Sequence, residues 1–166
     1  FQGYPDPAVD RTTLQPMQLA DFYNPPGDEA YPASSIYGEG PKPKALWLNV
    51  SAIWCGPCQY ESAEVLPVEH AKYAPLGAEL LLYLADTAIV GDPAQGTHLT
   101  SWTEKYGTAW PAVVDPSYKL ASSFQGATYP INIVIDTRTM VIETTLNGIP
   151  QPGSQFYSTL ESALER

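Results

Sequence analysis

Residues Ala45 to Cys58 read ALWLNVSAIWCGPC. The first part, Ala45 to Ile53, is a nearly continuous apolar run around Asn49. That pattern belongs to a strand buried on both faces in the middle of a sheet. Beyond the cysteines, Gln59 to Tyr73 has helical spacing, with Ala63, Leu66, His70 and Tyr73 recurring at threes and fours. The pair Cys55 and Cys58 therefore falls where a buried strand passes into a helix. Pro67 lies inside that helix and is expected to kink or divide it.

Two cysteines at this junction form a redox motif with a mechanism. A sulfur at a helix N-terminus meets unpaired N–H groups and the positive end of the helix dipole, so its thiolate is populated near neutral pH. Cys55 is accordingly the candidate nucleophile, and Cys58, one turn on, the thiol that resolves a mixed disulfide. Gly56 removes bulk from the approach, and Pro57 is tolerated in a first helical turn because its missing N–H has no partner there. Two plainer readings compete. Half a zinc site would need two more ligands, and His70 and His98 lack ligand spacing, so no metal is expected. A structural disulfide is the other.

Outward from this centre, Glu79 to Asp86 (ELLLYLAD) reads as a second buried strand, Thr87 to Gly96 as a loop, and Thr97 to Tyr106 as a helix capped by Thr97. Ala112 to Asp115 is a short strand and Ser117 to Phe124 a short helix. Ile131 to Asp136 and Met140 to Leu146 are strands joined by a turn over Asp136 to Thr139, and Ser154 to Glu165 is a last helix. Tyr129-Pro130 stands at the head of the strand Ile131 to Asp136. Position alone allows either a cis bond or an ordinary trans proline at a strand start. On the N-terminal side, Thr12 to Phe22 suggests a short strand or edge hairpin, and Tyr23 to Lys44 a proline-rich irregular connection. The expected organisation is an N-terminal extension over residues 1–44 ahead of one α/β domain over residues 45–166. In that domain a mixed central sheet is flanked by helices on both faces.

Eighteen acidic residues against eight basic ones give a net charge of -10. Such a field repels phosphate backbones and anionic lipid, so neither nucleic acid nor a membrane surface is an expected partner. No apolar run is long enough to span a membrane. The chain opens on Phe1 rather than Met, from which a lost leader is expected, and such a segment leaves room for a membrane tether. No apolar strip marks an interface, so a monomer is expected.

The sequence Trp54-Cys55-Gly56-Pro57-Cys58 after an apolar strand, with Pro130 at the head of a later strand, resembles thioredoxin, and the longer pattern is similar to the exported TlpA/ResA-like redoxins. The resemblance covers roughly Ala45 to Gly148. It implies the thioredoxin fold, disulfide exchange without a cofactor, and a cis peptide before Pro130. Asn49, six residues before Cys55, stands where thioredoxin has a buried acid and where TlpA-like members often have Asn. Glu61 matches a glutamate that assists catalysis in ResA-like proteins, and at three residues after Cys58 it could relay that thiol's proton; the alternative is a solvated helix residue. Trp54 is implied to cover the reactive sulfur and, with Gly56, Pro57, Tyr129 and Pro130, to meet the substrate. Trp110-Pro111 is expected to pack and shape a loop, and His70 and His98 to be surface or cap residues.

The function expected is a thiol–disulfide oxidoreductase acting on protein disulfides outside the cytoplasm, such as the periplasm. The Gly-Pro dipeptide, shared with thioredoxins whose potentials run near about -270 mV, points to a reductant fed by an upstream thiol donor. A peroxide reductase is the second enzymatic reading, but Leu48 and Ala52 stand where such enzymes place Pro and Thr. A redox-inert interaction module, docking through its Pro- and Tyr-rich front end, is the reading from another class.

Overall fold

The computed structural model describes residues 1–124 and 128–166. Along the chain run β1 (Gln2–Tyr4), β2 (Gln15–Pro16), β3 (Ala45–Ala52), α1 (Gly56–Tyr60), α2 (Leu66–Tyr73) and β4 (Ala78–Asp86). Then come α3 (Gly96–Tyr106), β5 (Ala112–Val114), β6 (Ile131–Asp136), β7 (Val141–Asn147) and α4 (Gln155–Glu165). The strands form one mixed sheet in the order β2-β1-β5-β4-β3-β6-β7. β3 runs parallel to β4 and antiparallel to β6, and every one of its residues is buried.

Strand geometry sends alternate side chains to opposite faces, which gives two separate cores. On one face Trp47, Leu80, Leu82 and Leu84 meet Leu66 and Tyr73 of α2, Leu99 and Trp102 of α3, and Phe156 and Leu160 of α4. The steps β3 to β4 and β4 to β5 move in the same direction across a parallel sheet, so right-handed crossovers set their helices on the same side. On the other face Leu46, Leu48, Leu81, Ile133 and Ile135 are covered by Met17, Phe22 and Ala121. Phe22 and Ala121 belong to short 3-10 helices, Leu19–Phe22 and Ala121–Phe124. Helices thus flank both faces unequally, with the α-helices on one and 3-10 turns plus the N-terminal segment on the other. Each such buried aliphatic or aromatic side chain contributes about 1.5–3 kcal/mol.

Several boundaries differ from the sequence reading, each for a local reason. The helix expected from Gln59 starts at Gly56 and is divided by a π-helical turn, Glu61–Val65, in which the Leu66 N–H reaches back to Glu61 O. Pro67 sits in the first turn of α2. It has no N–H to give, and its ring would crowd the carbonyl four residues back, so the ladder widens before it. α3 is capped by Gln95 rather than Thr97, and its N–H is accepted by His98 Nδ1 at 3.0 Å. The helix expected over Ser117 to Phe124 is reduced to its last four residues. Asp115 accepts the N–H groups of Ser117 and Leu120 at 3.2 and 2.9 Å, and Tyr118 takes a left-handed φ of 57°. The last strand starts at Val141, because Met140 also has a left-handed φ of 57° and completes the turn.

β1 was not anticipated. It adds to the sheet by antiparallel pairing with β5, with Gly3 opposite Val113. Glycine is required there by space: a Cβ on Gly3 would collide with Ala112 O and lie 2.9 Å from Val113 Cα. Gly3→Ala is expected to lever β1 off β5 and cost about 1–3 kcal/mol in urea unfolding. An unchanged midpoint would show that β1 is not held so closely.

Candidate active site

β3 leaves the sheet with a register shift against β4 between Ser51 and Ala52. The chain then turns through Ile53 and Trp54 to Cys55, which has extended φ/ψ of -87° and 105° and caps α1. A disulfide joins Cys55 to Cys58. The Cys58 N–H donates to Cys55 Sγ at 3.1 Å. An N–H aimed at the sulfur, together with the helix that follows, favours negative charge on Cys55 when the pair is reduced. Only 2% of Cys55 is exposed and none of Cys58, so Cys55 is the less enclosed of the two. Gly56 and Pro57 are exposed. Apart from its chain neighbours and its own helix backbone, nothing described lies within 4 Å of where a Gly56 Cβ would be, so the approach beside Cys55 stays uncovered.

Trp54 stands on one side of the pair, its ring 5.7 Å from that of Tyr129. Its Nε1–H donates to Asp86 Oδ2 at 3.0 Å. Asp86, the buried last residue of β4, also accepts the Gly91 N–H at 3.0 Å and the Tyr118 hydroxyl at 2.6 Å. Burial, with the Asp86 charge adding to it, raises the Tyr129 hydroxyl above the ordinary tyrosine range. The Tyr129–Pro130 bond is cis, and Pro130 O accepts the Gly148 N–H at 2.7 Å.

One helical turn after Cys58 the chain enters a buried polar cluster. Glu61 is wholly buried rather than solvated. Asn49 Nδ2 donates to its Oε2 and Asn132 Nδ2 to its Oε1, both at 2.8 Å. Asn49 and Asn132 face each other as register partners on β3 and β6. Asn132 Oδ1 accepts from Trp47 Nε1 at 2.6 Å and from Asn49 Nδ2 at 3.0 Å, and Ser51 Oγ donates to Asn49 Oδ1 at 2.8 Å. Burial pushes the Glu61 carboxyl up to about 7, with the two amide donors pulling the other way. The helix thus carries, one turn beyond a buried thiol, a group able to hold or release a proton near neutrality.

No family model matches the chain. The thiol-disulfide oxidoreductase ResA of Bacillus thuringiensis (strain Al Hakam) is 24% identical over 125 residues, which is 75% of this chain and 64% of that protein. The chain therefore spans a little under two thirds of the length of the curated relatives it matches. Among solved structures, a secreted thiol-disulfide isomerase from Corynebacterium glutamicum superposes with a TM-score of 0.62 at 17% identity, covering 99% of this chain and 83% of that one. A secreted Mycobacterium tuberculosis disulfide oxidoreductase homologous to E. coli DsbE gives 0.50 at 15%, over 74% and 82%. The chain is similar to ResA in sequence and shares the fold of these thiol–disulfide oxidoreductase structures.

Trp54, Cys55, Gly56, Pro57 and Cys58 are contiguous in the chain, Tyr129 stands beside them through its ring contact with Trp54, and Glu61 follows Cys58 by one helical turn. The histidines do not join them: His70 is half-buried with its ring 5.1 Å from that of Trp110, and His98 caps α3. Trp110 is buried in the core, as its expected packing role requires. Two residues of the site escaped the sequence reading, Asn132 and Asp86. A signal for each existed: an amide in the middle of INIVID and an acid closing ELLLYLAD are polar groups that a buried strand must satisfy.

The raised carboxyl has a consequence for stability. In the oxidised protein the cysteines do not titrate, and Glu61 binds a proton more tightly folded than unfolded. Its contribution is complete below its unfolded value of 4.5 and is lost as pH rises through about 7. Glu79, also pushed up to about 7 by burial, acts in the same direction. Urea unfolding of oxidised protein at pH 5 and pH 8 is expected to show lower stability at pH 8. Glu61→Gln should remove up to about 3 kcal/mol of that difference. A Gln variant keeping the full difference would place the titration elsewhere.

Proposed function

We propose that this protein is a thiol–disulfide oxidoreductase that reduces protein disulfides outside the cytoplasm through Cys55 and Cys58. The observation that carries the reading is the cysteine pair at the strand-to-helix junction, with one sulfur capping the helix and receiving the N–H of Cys58. The name of the ResA relatives supports the chemistry, and the two secreted structural neighbours support the location.

In the reductive direction the Cys55 thiolate attacks one sulfur of a substrate disulfide. A mixed disulfide forms and the other substrate sulfur leaves as thiolate. The Cys58 thiol passes its proton to the Glu61 carboxylate, and its sulfur attacks Cys55 Sγ. The Cys55–substrate bond breaks, the second substrate thiolate leaves, and the Cys55–Cys58 disulfide remains. Two electrons have passed to the substrate, and a dithiol donor must restore them. Trp54, Gly56, Pro57, Tyr129 and Pro130 form the surface on which the substrate strand lies in this reading.

Cys58→Ser is expected to accumulate the mixed disulfide with a substrate protein, and Cys55→Ser to abolish disulfide reduction, both read by mass spectrometry of acid-quenched reactions. The potential of the pair is expected below about -240 mV. A value above about -180 mV would reverse the direction of electron flow. A pair that did not titrate against thiol buffers would end the catalytic reading.

A further inference from the structure

We propose that Asn132 is a positioning residue: clamped by Trp47, it presents only hydrogen-bond donors to Glu61 and so keeps that carboxyl aimed to exchange a proton with Cys58. The inference rests on the role given to Glu61 above and deepens it.

The argument starts from the orientation of one amide. Asn132 Oδ1 accepts two donors, Trp47 Nε1 at 2.6 Å and Asn49 Nδ2 at 3.0 Å. Its Nδ2 serves two acceptors, Glu61 Oε1 at 2.8 Å and Gly148 O at 3.0 Å. Turning the amide over would set N–H against N–H at Trp47 and oxygen against oxygen at Glu61. The buried indole, which can only donate, therefore fixes which end of Asn132 meets the carboxyl. Asn49 is fixed in the same sense, because its Oδ1 accepts from Ser51 Oγ at 2.8 Å.

The carboxyl thus meets N–H groups on both oxygens. As a carboxylate it is satisfied by them, which makes an anion tolerable in a site without water. Once it carries a proton, neither amide offers it an acceptor, so the proton is not trapped by either side chain. The groups facing Glu61 from the surrounding elements are Asn49 on β3, Asn132 on β6 and the Tyr157 hydroxyl on α4, which feels the Glu61 charge. On its own helical stretch Cys58 lies one turn earlier. In this proposal the Cys58 thiol, one turn away on the same helical stretch, is the partner that gives and takes back the proton.

The test separates the two thiol steps. Reduced protein is mixed with an aromatic disulfide that liberates a coloured thiolate at each step. Attack by Cys55 liberates the first, leaving an aryl mixed disulfide. Attack by Cys58 on Cys55 Sγ, with loss of its proton, liberates the second, so the reagent gains the two electrons that the cysteines lose. Asn132→Leu is expected to slow the second release about tenfold near pH 7 while the first stays within about twofold of the natural protein. Asn132→Asp keeps the acceptor for Trp47 and Asn49 but turns an oxygen towards Glu61. Two carboxyls then share a proton, and the pH inflection of the second release should rise by about one unit or more.

If the leucine variant does not fold, as judged by near-ultraviolet circular dichroism, the aspartate variant carries the test. Folded variants whose second release matches the natural protein in rate and pH profile, with Glu61→Gln still slowed, would overturn the role of Asn132 and leave that of Glu61. Equal slowing of both releases would likewise reduce Asn132 to a structural part. An unslowed Glu61→Gln would remove both readings together.

Discussion

The burial of β3 on both faces is the constraint from which the other arrangements follow. A strand covered above and below must take its neighbours by hydrogen bonding and lend its side chains to two cores at once. Trp47 is given to one core and Leu46, Leu48 and Val50 to the other. Because β3 is fixed so firmly, the point at which it ends is fixed too. Cys55 emerges from the middle of the sheet and caps the helix that must cross back. The Cys55 sulfur, placed by a strand buried along its whole length, is held against the N–H of Cys58.

Inside this apolar frame the Asn49–Glu61–Asn132 cluster is costly unless complete. Each buried amide or carboxyl left without a partner would cost about 1–3 kcal/mol or more. The cluster closes by using the sheet register: Asn49 and Asn132 are opposite each other, and the π-helical turn begins at Glu61, directly above them in the chain of contacts. Pro67, by widening the ladder, belongs to the same device. Local helix geometry, strand pairing and proton chemistry therefore meet at one carboxyl.

The elements with a strong period were legible from residues alone. β3, β4 and β6 were readable because their apolar runs are broken by only one or two polar residues, and the cysteine motif because its spacing matches a helical turn. Less could be read where a side chain overrides propensity. Asp115 captures two N–H groups and stops a helix from forming over Ser117 to Phe124, and His98 rather than Thr97 completes the cap of α3. β1 has only three residues and no period to detect, so its place depends on β5 being there to receive it. Glu61 was legible as a candidate, but its burial was not. Burial depended on Asn132, some seventy residues away in sequence and adjacent only through strand pairing.

The unequal cover of the two faces carries a consequence for how this protein breathes. On the α-helical side, opening requires whole helices to lift, with their internal hydrogen bonds and packed aromatics. On the other side Met17 and Phe22 are held by chain with little repeating structure, whose opening disrupts few backbone bonds. Amide protons of that outer segment should exchange at a lower free energy than those of β3, as a separate cooperative unit. Cutting the chain before Ala45 would not yield a smaller stable domain, since Leu48, Leu81 and Ile133 would lose the cover of Met17 and Phe22. The stretch before Ala45 is in effect the missing layer of the sandwich, and a protease that clipped it would convert a soluble sheet into a sticky one.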